Sequence, residues 1–469
     1  MGERYDAVVV GSGPNGLAAA ITLAEAGKRV LVLEADQAPG GGLRTEELLE
    51  PGFRHDVCST IMALPPLVPL FQRAGLDLVT PPAPLAHPFD DGMAVLVERG
   101  VAQTAVGLGP DAGAYRRLMA PLARGIGPLL GMLLGPIRPP RHPVLLARFG
   151  LPGLFSALWL AGVSFQTRGA QALLAGAAAH SLLALDEPGT GAVGLLMLAS
   201  AHATGWPVAR GGSSTVAEAL AQRFGELGGK LECGREVVSL DDLPEHRAVL
   251  LDLAPRGVLQ VAPRRFTPRF RDALETFRHG PGAFKMDWTL DGPIPWRSAH
   301  CLRAATVHLG GTAEEIAESE LQVARGRHPA RPFVLLVQAS LFDRARAPAG
   351  KHVAWAYCHV PNDSDQDMTR EIEDQVERFA PGFRGLVRKR SAWTARRLER
   401  EEPNCVGGDV MDGRMDLRGL VARPVFSLNP YATPDRDIFI CSAATPPGGG
   451  VHGMCGVNAA RAALHTRLR

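Results

Sequence analysis

Residues 5–34 read Tyr5-Asp-Ala-Val-Val-Val10, Gly11-Ser-Gly13-Pro14-Asn15-Gly16, Leu17-Ala-Ala-Ala-Ile21-Thr-Leu-Ala24-Glu-Ala-Gly27 and Lys28-Arg-Val-Leu-Val-Leu-Glu34. The unbroken apolar run from Ala7 to Val10 predicts a strand buried on both faces. Leu17, Ile21 and Ala24 recur at helical spacing, and a second apolar run from Val30 ends in an acid. A lone GxGxxG says little. Here it lies between a strand and a helix, with the acid 23 residues after Gly11, which is the full context of a dinucleotide-binding βαβ unit. Gly11 allows the tight turn, Gly13 the close approach of a pyrophosphate, and Gly16 the close packing of helix on strand. Pro14 and Asn15 open the helix, whose free N–H groups face the phosphates. Glu34 is placed to accept hydrogen bonds from a ribose, and its charge disfavours a 2′-phosphate and hence NADP.

At 469 residues the chain is too long for one hydrophobic core, so two or three domains are expected. Hydrophobic residues make up 46% and charged residues 21%, an ordinary globular balance. A net charge of +2 gives no electrostatic basis for a nucleic-acid partner, and the arginines are scattered along the chain. Seven cysteines, at 58, 233, 301, 358, 405, 441 and 455, include no CxxC. Their odd count and wide spacing argue against a disulfide framework, a zinc ribbon or a redox pair. No spacing resembles a metal site. With no signal peptide before the first strand, a cytoplasmic location is expected.

Residues 61–206 change texture, being rich in Leu, Ala, Gly and Pro, with windows nearly free of charge at 125–137, 150–167 and 169–185. The glycines, prolines and serines in the second window argue against a spanning helix. Helices lining an apolar cavity are the first expectation, and a hydrophobic face touching a bilayer without crossing it is the second. Gly107-Leu-Gly109-Pro-Asp111-Ala-Gly113 imitates a nucleotide loop at the wrong spacing and reads instead as the start of a surface helix capped by Asp111. Further on, Thr215 with Glu218 and Thr312 with Glu315 read as capping boxes of two helices. Strands are expected at 231–239, 249–253, 284–290, 333–339 and 438–441, and a closing helix at 457–468.

Glycine clusters occur at both ends of the chain. Gly40-Gly41-Gly42 follows the ribose acid and suits a cofactor longer than NAD, and the run 448–456 precedes a helix whose N-terminus faces the electron-rich edge of a bound ring. In this order the clusters resemble the FAD-dependent superfamily of phytoene desaturases and flavin amine oxidases. The nearest branch is the phytoene dehydrogenase-related group that includes the pyridine nucleotide-disulfide oxidoreductase domain 2 proteins. The resemblance covers nearly the whole chain. Beyond the first motif it rests on residues 40–46 (GGGLRTE), 205–212 (GWPVARGG), 282–288 (GAFKMDW), 306–312 (TVHLGGT) and 442–456 (SAATPPGGGVHGMCG).

By that resemblance Gly11, Gly13, Pro14, Asn15, Gly16 and Glu34 bind the ADP half of FAD, and Gly40, Gly41 and Thr45 form a second flavin motif. Many relatives carry Arg directly after the paired glycines. This chain has Gly42 there, and Arg44 two positions on is the candidate to take over that cofactor contact. Val237 falls where a backbone contact to adenine is expected, after which the connection to Val249 is shorter than the β-meander of relatives. Gly449, Gly450 and Gly453 flank the isoalloxazine. Lys285 opens a largely apolar strand, and in the amine-oxidase branch a lysine at the head of a comparable strand reaches flavin N5 through water. Burial would favour its neutral amine. His452 is the second catalytic candidate, and Asp56 lines the crossover between domains. His55, His180, His202 and His308 read as structural histidines.

The expected fold is α/β: a discontinuous Rossmann-like FAD-binding domain (1–75, 207–280 and 405–469) and a mixed α+β substrate domain (76–206 and 281–404). The expected activity is hydride transfer from a C–H bond of an apolar, polyene- or isoprenoid-like small molecule to flavin N5, with oxygen or a quinone as electron acceptor. A flavin-dependent amine oxidase and a non-catalytic lipid- or prenyl-binding protein are the alternatives. No metal, no nucleic acid and a peripheral membrane contact complete the expectations.

Overall fold

The computed structural model describes residues 4–136 and 138–469. Its strands in chain order are β1 (Ala7–Val10), β2 (Val30–Leu33), β3 (Thr45–Glu46), β4 (His55–Asp56), β5 (Leu78–Val79), β6 (Ala83–Pro88), β7 (Ala94–Val97) and β8 (Val208–Ala209). There follow β9 (Lys230–Glu232), β10 (Ala248–Leu251), β11 (Gly282–Leu290), β12 (Ala304–Leu309), β13 (Val334–Val337), β14 (His352–Val360), β15 (Val387–Trp393) and β16 (Ile438–Ile440).

One sheet is wholly parallel, in the order β16-β10-β1-β2-β9. Both its faces are buried, as the continuous apolar runs require. Val9, Val32, Leu250 and Phe439 point into a core shared with helices Pro14–Glu25, Ser214–Glu226 and Met454–Thr466. Val10, Val249, Leu251 and Ile440 point the other way, onto Val258, Phe266 and Phe270. The first and last helices of the chain lie against each other so closely that a Cβ on Gly456 would stand 1.8 Å from the Asn15 carbonyl oxygen.

The second sheet is mixed and seven-stranded, in the order β15-β11-β14-β13-β12-β6-β7, with β12–β6 its one parallel pairing. Helices Ala112–Arg124, Ile126–Leu133, Arg168–Ala178 and Thr190–Thr204 build an adjoining core around Tyr115, Leu129, Leu173 and Leu198. No single helix among the described residues is long and apolar enough to cross a membrane.

Local expectations fail where a distant group competes for a capping side chain. Asp111 does not cap its own helix. Its carboxylate accepts from Gln166 N, Thr167 N and Thr167 Oγ1 at 2.6–2.9 Å, tying that turn to the apolar helices beyond. The helix it precedes is no surface helix either, since Tyr115, Met119 and Leu122 are buried. Thr215 donates to the Gly212 carbonyl, and the helix begins two residues earlier than expected, with Ser213 at its cap position. Thr312 does accept from Glu315 N at 3.3 Å, but the Glu315 carboxylate pairs with Arg378, so only half of that box forms. The strand expected over 231–239 is only β9, at the sheet edge. Gly234 N and Arg235 N still donate to the Asp36 and Glu34 carbonyls, but the exposed residues 234–236 are not part of the strand.

Candidate functional site

At the C-terminal edge of the parallel sheet the β1–helix turn is built for close backbone approach. Gly11 has φ +94°, and a Cβ on Gly16 would lie 2.1 Å from Gly11 O. Pro14 fills the first helical position, no side chain caps the helix, and no acid stands in its first turn. The Gly40–Gly42 turn folds onto this end, with a Cβ on Gly41 lying 3.4 Å from Gly13 Cα. From the far end of the chain Gly453, at φ +65°, approaches Ala18 so that its Cβ would stand 2.8 Å away. Three glycine clusters from distant parts of the sequence thus meet at one helix N-terminus, where backbone N–H groups and the helix dipole favour an anion. Asn15, buried on the first turn, leaves its Oδ1 without a hydrogen-bond partner among the described residues. The glycine cradle with its free N–H groups fits a dinucleotide.

Glu34 accepts from Ser12 N at 2.8 Å, Ser12 Oγ at 2.6 Å and Asp36 N at 2.9 Å, which pins it beside the turn. Arg44 faces three carboxylates, Asp36 at 2.6 Å, Glu402 at 2.8 Å and Glu46 at 3.2 Å. Thr45 Oγ1 donates to Asp56 and accepts from Ser214 N. Val237 is half-buried, packed among Leu243 and the strand residues Val8 and Val10. In the closing glycine loop Gly449 abuts Met411 and Gly450 takes φ +122°. His452 is buried. Its Nδ1 accepts from Met454 N at 3.0 Å, at the start of the last helix, and burial pushes the imidazole down to about 4.

Two buried acids set the charge of this end. Asp252, at the end of β10, accepts from Gly16 N at 2.8 Å. Burial pushes its carboxyl up to about 7, the Gly16 bond opposes this, and Asp412 and Glu34 add to it. Asp412 is likewise pushed up to about 7, by burial first and Asp409 second, with His279 and Arg423 opposing. Such groups bind protons more tightly in the folded than in the unfolded chain. Their contribution to stability is complete below the unfolded carboxyl pKa of about 4 and is lost as pH rises to about 7. Ligand-free protein is therefore expected to lose stability, on the order of 2–4 kcal/mol per acid, between those limits. Asp252→Asn, which keeps an acceptor for Gly16 N, should flatten its share of that slope in denaturant titrations run across pH. An unchanged slope would show that Asp252 titrates normally.

The seven-stranded sheet separates apolar from functional residues by strict alternation. One face carries Phe284, Met286, Trp288, Ala356, Cys358 and Leu336 into a core with Ile372, Val376 and Phe379 of helix Thr369–Phe379. On the other, the register sets Lys285 beside Tyr357 and Trp393, Asp287 beside Trp355 and Ser391, and His308 beside Leu335. All of these strands are central or paired on both sides except β15. Lys285 is 3% exposed and Asp287 not at all. Lys285 Nζ lies 2.5 Å from Asp287 Oδ2, and His55 Nδ1 lies 3.4 Å from Asp287 Oδ1. Trp393 and Trp355 flank the ammonium at 5.0 and 5.9 Å from their ring centroids. Burial would raise the Asp287 carboxyl, but Lys285 and His55 outweigh it and hold the acid below its usual range. The amine expected from the sequence thus has a buried partner that the expectation did not include. A buried carboxylate two residues on, on the same strand face, holds Lys285 as an ion pair.

The β3–β4 ribbon joins the two ends of the site. Its His55 reaches Asp287, while Asp56 accepts from Thr45, from Thr60 Oγ1 at 2.7 Å, from Ser213 N at 2.8 Å and from Arg346 Nη1 at 2.7 Å. Arg346, 1% exposed, also donates to Asp343 and to the Ala209 carbonyl. Neither Arg346 nor Asp343 stands out in the sequence, because nothing local marks them. Arg346→Met is expected to cost about 3–5 kcal/mol, since it leaves Asp56 charged and buried. A chemical-denaturation midpoint unchanged from wild type would contradict this.

His308 lies beside His180, 3.3 Å between Nε2 atoms, and His359 pairs with Glu320 at 2.7 Å. Burial pushes His180 down to about 3 and His308 well below the usual imidazole range. His202 bonds Tyr115 and the Glu98 carbonyl.

Residues 9–74 match the model of the NAD(P)-binding Rossmann-like domain. The chain is 26% identical to the mouse pyridine nucleotide-disulfide oxidoreductase domain-containing protein 2, over 97% of this chain and 93% of that protein. It is 28% identical to a phytoene dehydrogenase of Streptomyces griseus, over 79% of this chain and 76% of that one. Among solved structures an oxidoreductase from Methanosarcina mazei superposes with a TM-score of 0.64 at 14% identity, covering 98% and 100% of the two chains. A putrescine oxidase variant does so at 0.62 and 15%, covering 98% of each. The chain is thus similar over most of its length to the pyridine nucleotide-disulfide oxidoreductase domain 2 proteins and to a phytoene dehydrogenase, and it shares the fold of these solved oxidoreductases.

Proposed function

We propose that the protein is an FAD-dependent dehydrogenase acting on an apolar, polyene- or isoprenoid-like substrate, with oxygen or a quinone as acceptor. The observation that supports this most is the β3–β4 ribbon. It runs from the glycine cradle to the buried Lys285–Asp287 ion pair, on a sheet face that carries Trp355, Tyr357, Trp393, Leu335 and Val337 together with His308, His359 and Ser391. Bound FAD supplies a two-electron acceptor for hydride. The helix N-terminus and Gly11–Gly16 turn hold the pyrophosphate, and Glu34 holds the ribose. Asp287 fixes the position of Lys285 Nζ, where a proton is held or relayed, and the indole rings of Trp355 and Trp393 keep bulk water from it. The aromatic and aliphatic side chains of the face orient an apolar chain without asking it to shed polar hydration.

The two indoles beside Lys285 and the likeness in fold to putrescine oxidase favour amine oxidation as the second reading. Against it, a cationic amine entering here would meet the Lys285 ammonium. Anaerobic mixing of the flavin-loaded protein with candidate polyenes and with simple amines separates the two. Bleaching of the flavin by polyenes alone supports the first reading, and bleaching by amines alone replaces it with the second.

A further inference from the structure

The arginines are spread through the chain, but the acids are not. Between Asp111 and Asp186 there is no Asp or Glu, while seven arginines fall there, in a chain whose whole net charge is +2. The same stretch holds six of the thirteen large hydrophobic residues that are exposed among the described residues. Helices Pro143–Gly153 and Ala157–Ser164 meet in a bend of 102°. Around it Val144, Leu151, Leu154, Phe155, Trp159 and Val163 are each 48–66% exposed, and the Phe155 and Trp159 rings stack at 4.2 Å. Positions 144, 148 and 151 follow at helical spacing, so Arg148 shares the exposed face of the first helix with Val144 and Leu151. Beside this elbow lies an open cleft of about 540 Å³, lined by Arg124, Arg141, His142 and Arg148 together with Pro143 and Val144. Arg124, Arg141 and Arg148 form no ion pair among the described residues.

We propose that this elbow is a monotopic docking surface for an anionic lipid bilayer, its apolar side chains in the acyl boundary and the arginine cleft on the lipid phosphates. The helices, of 11 and 8 residues, are too short to span a hydrocarbon core of roughly 30 Å. They suit a helix lying in the interfacial plane, with apolar and aromatic residues on the buried side and arginines at headgroup level. A symmetric contact with a second copy of the chain would instead press two acid-free arginine surfaces together. Helix Ala157–Ser164 packs on helix Arg168–Ala178, whose Gly176 abuts His308 on the functional sheet face. The docked elbow therefore stands one helix layer from the candidate site. The proposal does not depend on the flavin reading.

The test is flotation of the full-length protein with phosphatidylcholine vesicles with and without phosphatidylglycerol, at low and high salt. Wild type should float with the anionic vesicles and be released by salt. Phe155→Ser with Trp159→Ser, and separately Arg141→Glu with Arg148→Glu, should each weaken binding at least about tenfold, since each arginine near an anionic surface contributes roughly fivefold. All four side chains are exposed, and circular dichroism checks that both variants fold. Failure of wild type to float, equal flotation of wild type and both variants, or sedimentation showing a dimer that the variants dissolve would each overturn the proposal.

Discussion

Gly13→Val should purify colourless, with its far-ultraviolet dichroism intact and its affinity for added FAD reduced by at least about a hundredfold. Gly13 occupies the cap position of the first helix at φ −60° and ψ 174°, a backbone that valine tolerates, so the fold survives. The space does not. A Cβ there would stand 2.8 Å from Asp252 Oδ2, and the two methyl groups would project over the N–H groups that receive the pyrophosphate. Losing two charge-assisted hydrogen bonds removes about 3–6 kcal/mol of binding, enough for a hundredfold or more. The cost to folding should stay near ~1 kcal/mol, as at other helix caps. A variant that keeps full flavin content would show that the dinucleotide lies elsewhere.

Lys285→Met carries the second large effect, and it has two parts. The substitution leaves Asp287 fully buried with only His55 beside it, at an expected cost of about 3–5 kcal/mol in denaturant titration. Adding Asp287→Asn removes the stranded charge and should restore a good part of that loss, because the pair is then replaced by neutral groups. Restored stability with flavin reduction still slowed in anaerobic stopped flow would place the role at Nζ. Restored stability with reduction at the wild-type rate would make the ion pair purely structural.

The sequence reading succeeds where the physics is local. The apolar runs of β1 and β2, the helix between them and the glycine turn are bounded to within a residue or two, because each depends on neighbours in the chain. It fails where a distant group wins. Asp111 and Thr215 look like helix caps from their surroundings, but residues 55 positions on and a carbonyl one turn back claim them instead. The partner of Lys285 was in reach, since a two-residue spacing on a strand puts Asp287 on the same face. His55 and Arg346 were not, because only the folded β3–β4 ribbon brings them there. Asp252 at the end of β10 could have been suspected from its place after an apolar strand beside β1. The basic elbow is marked by the absence of acids between Asp111 and Asp186, which no local motif signals.

The central claim is that the glycine clusters at the two ends of the chain enclose one flavin dinucleotide. It is tested most directly by the visible absorption spectrum of the purified protein, repeated after denaturation to release the chromophore. The account predicts a flavin spectrum whose released species chromatographs as FAD. A colourless protein that also fails to bind added FAD would contradict it, leaving the fold without the oxidation chemistry assigned to it.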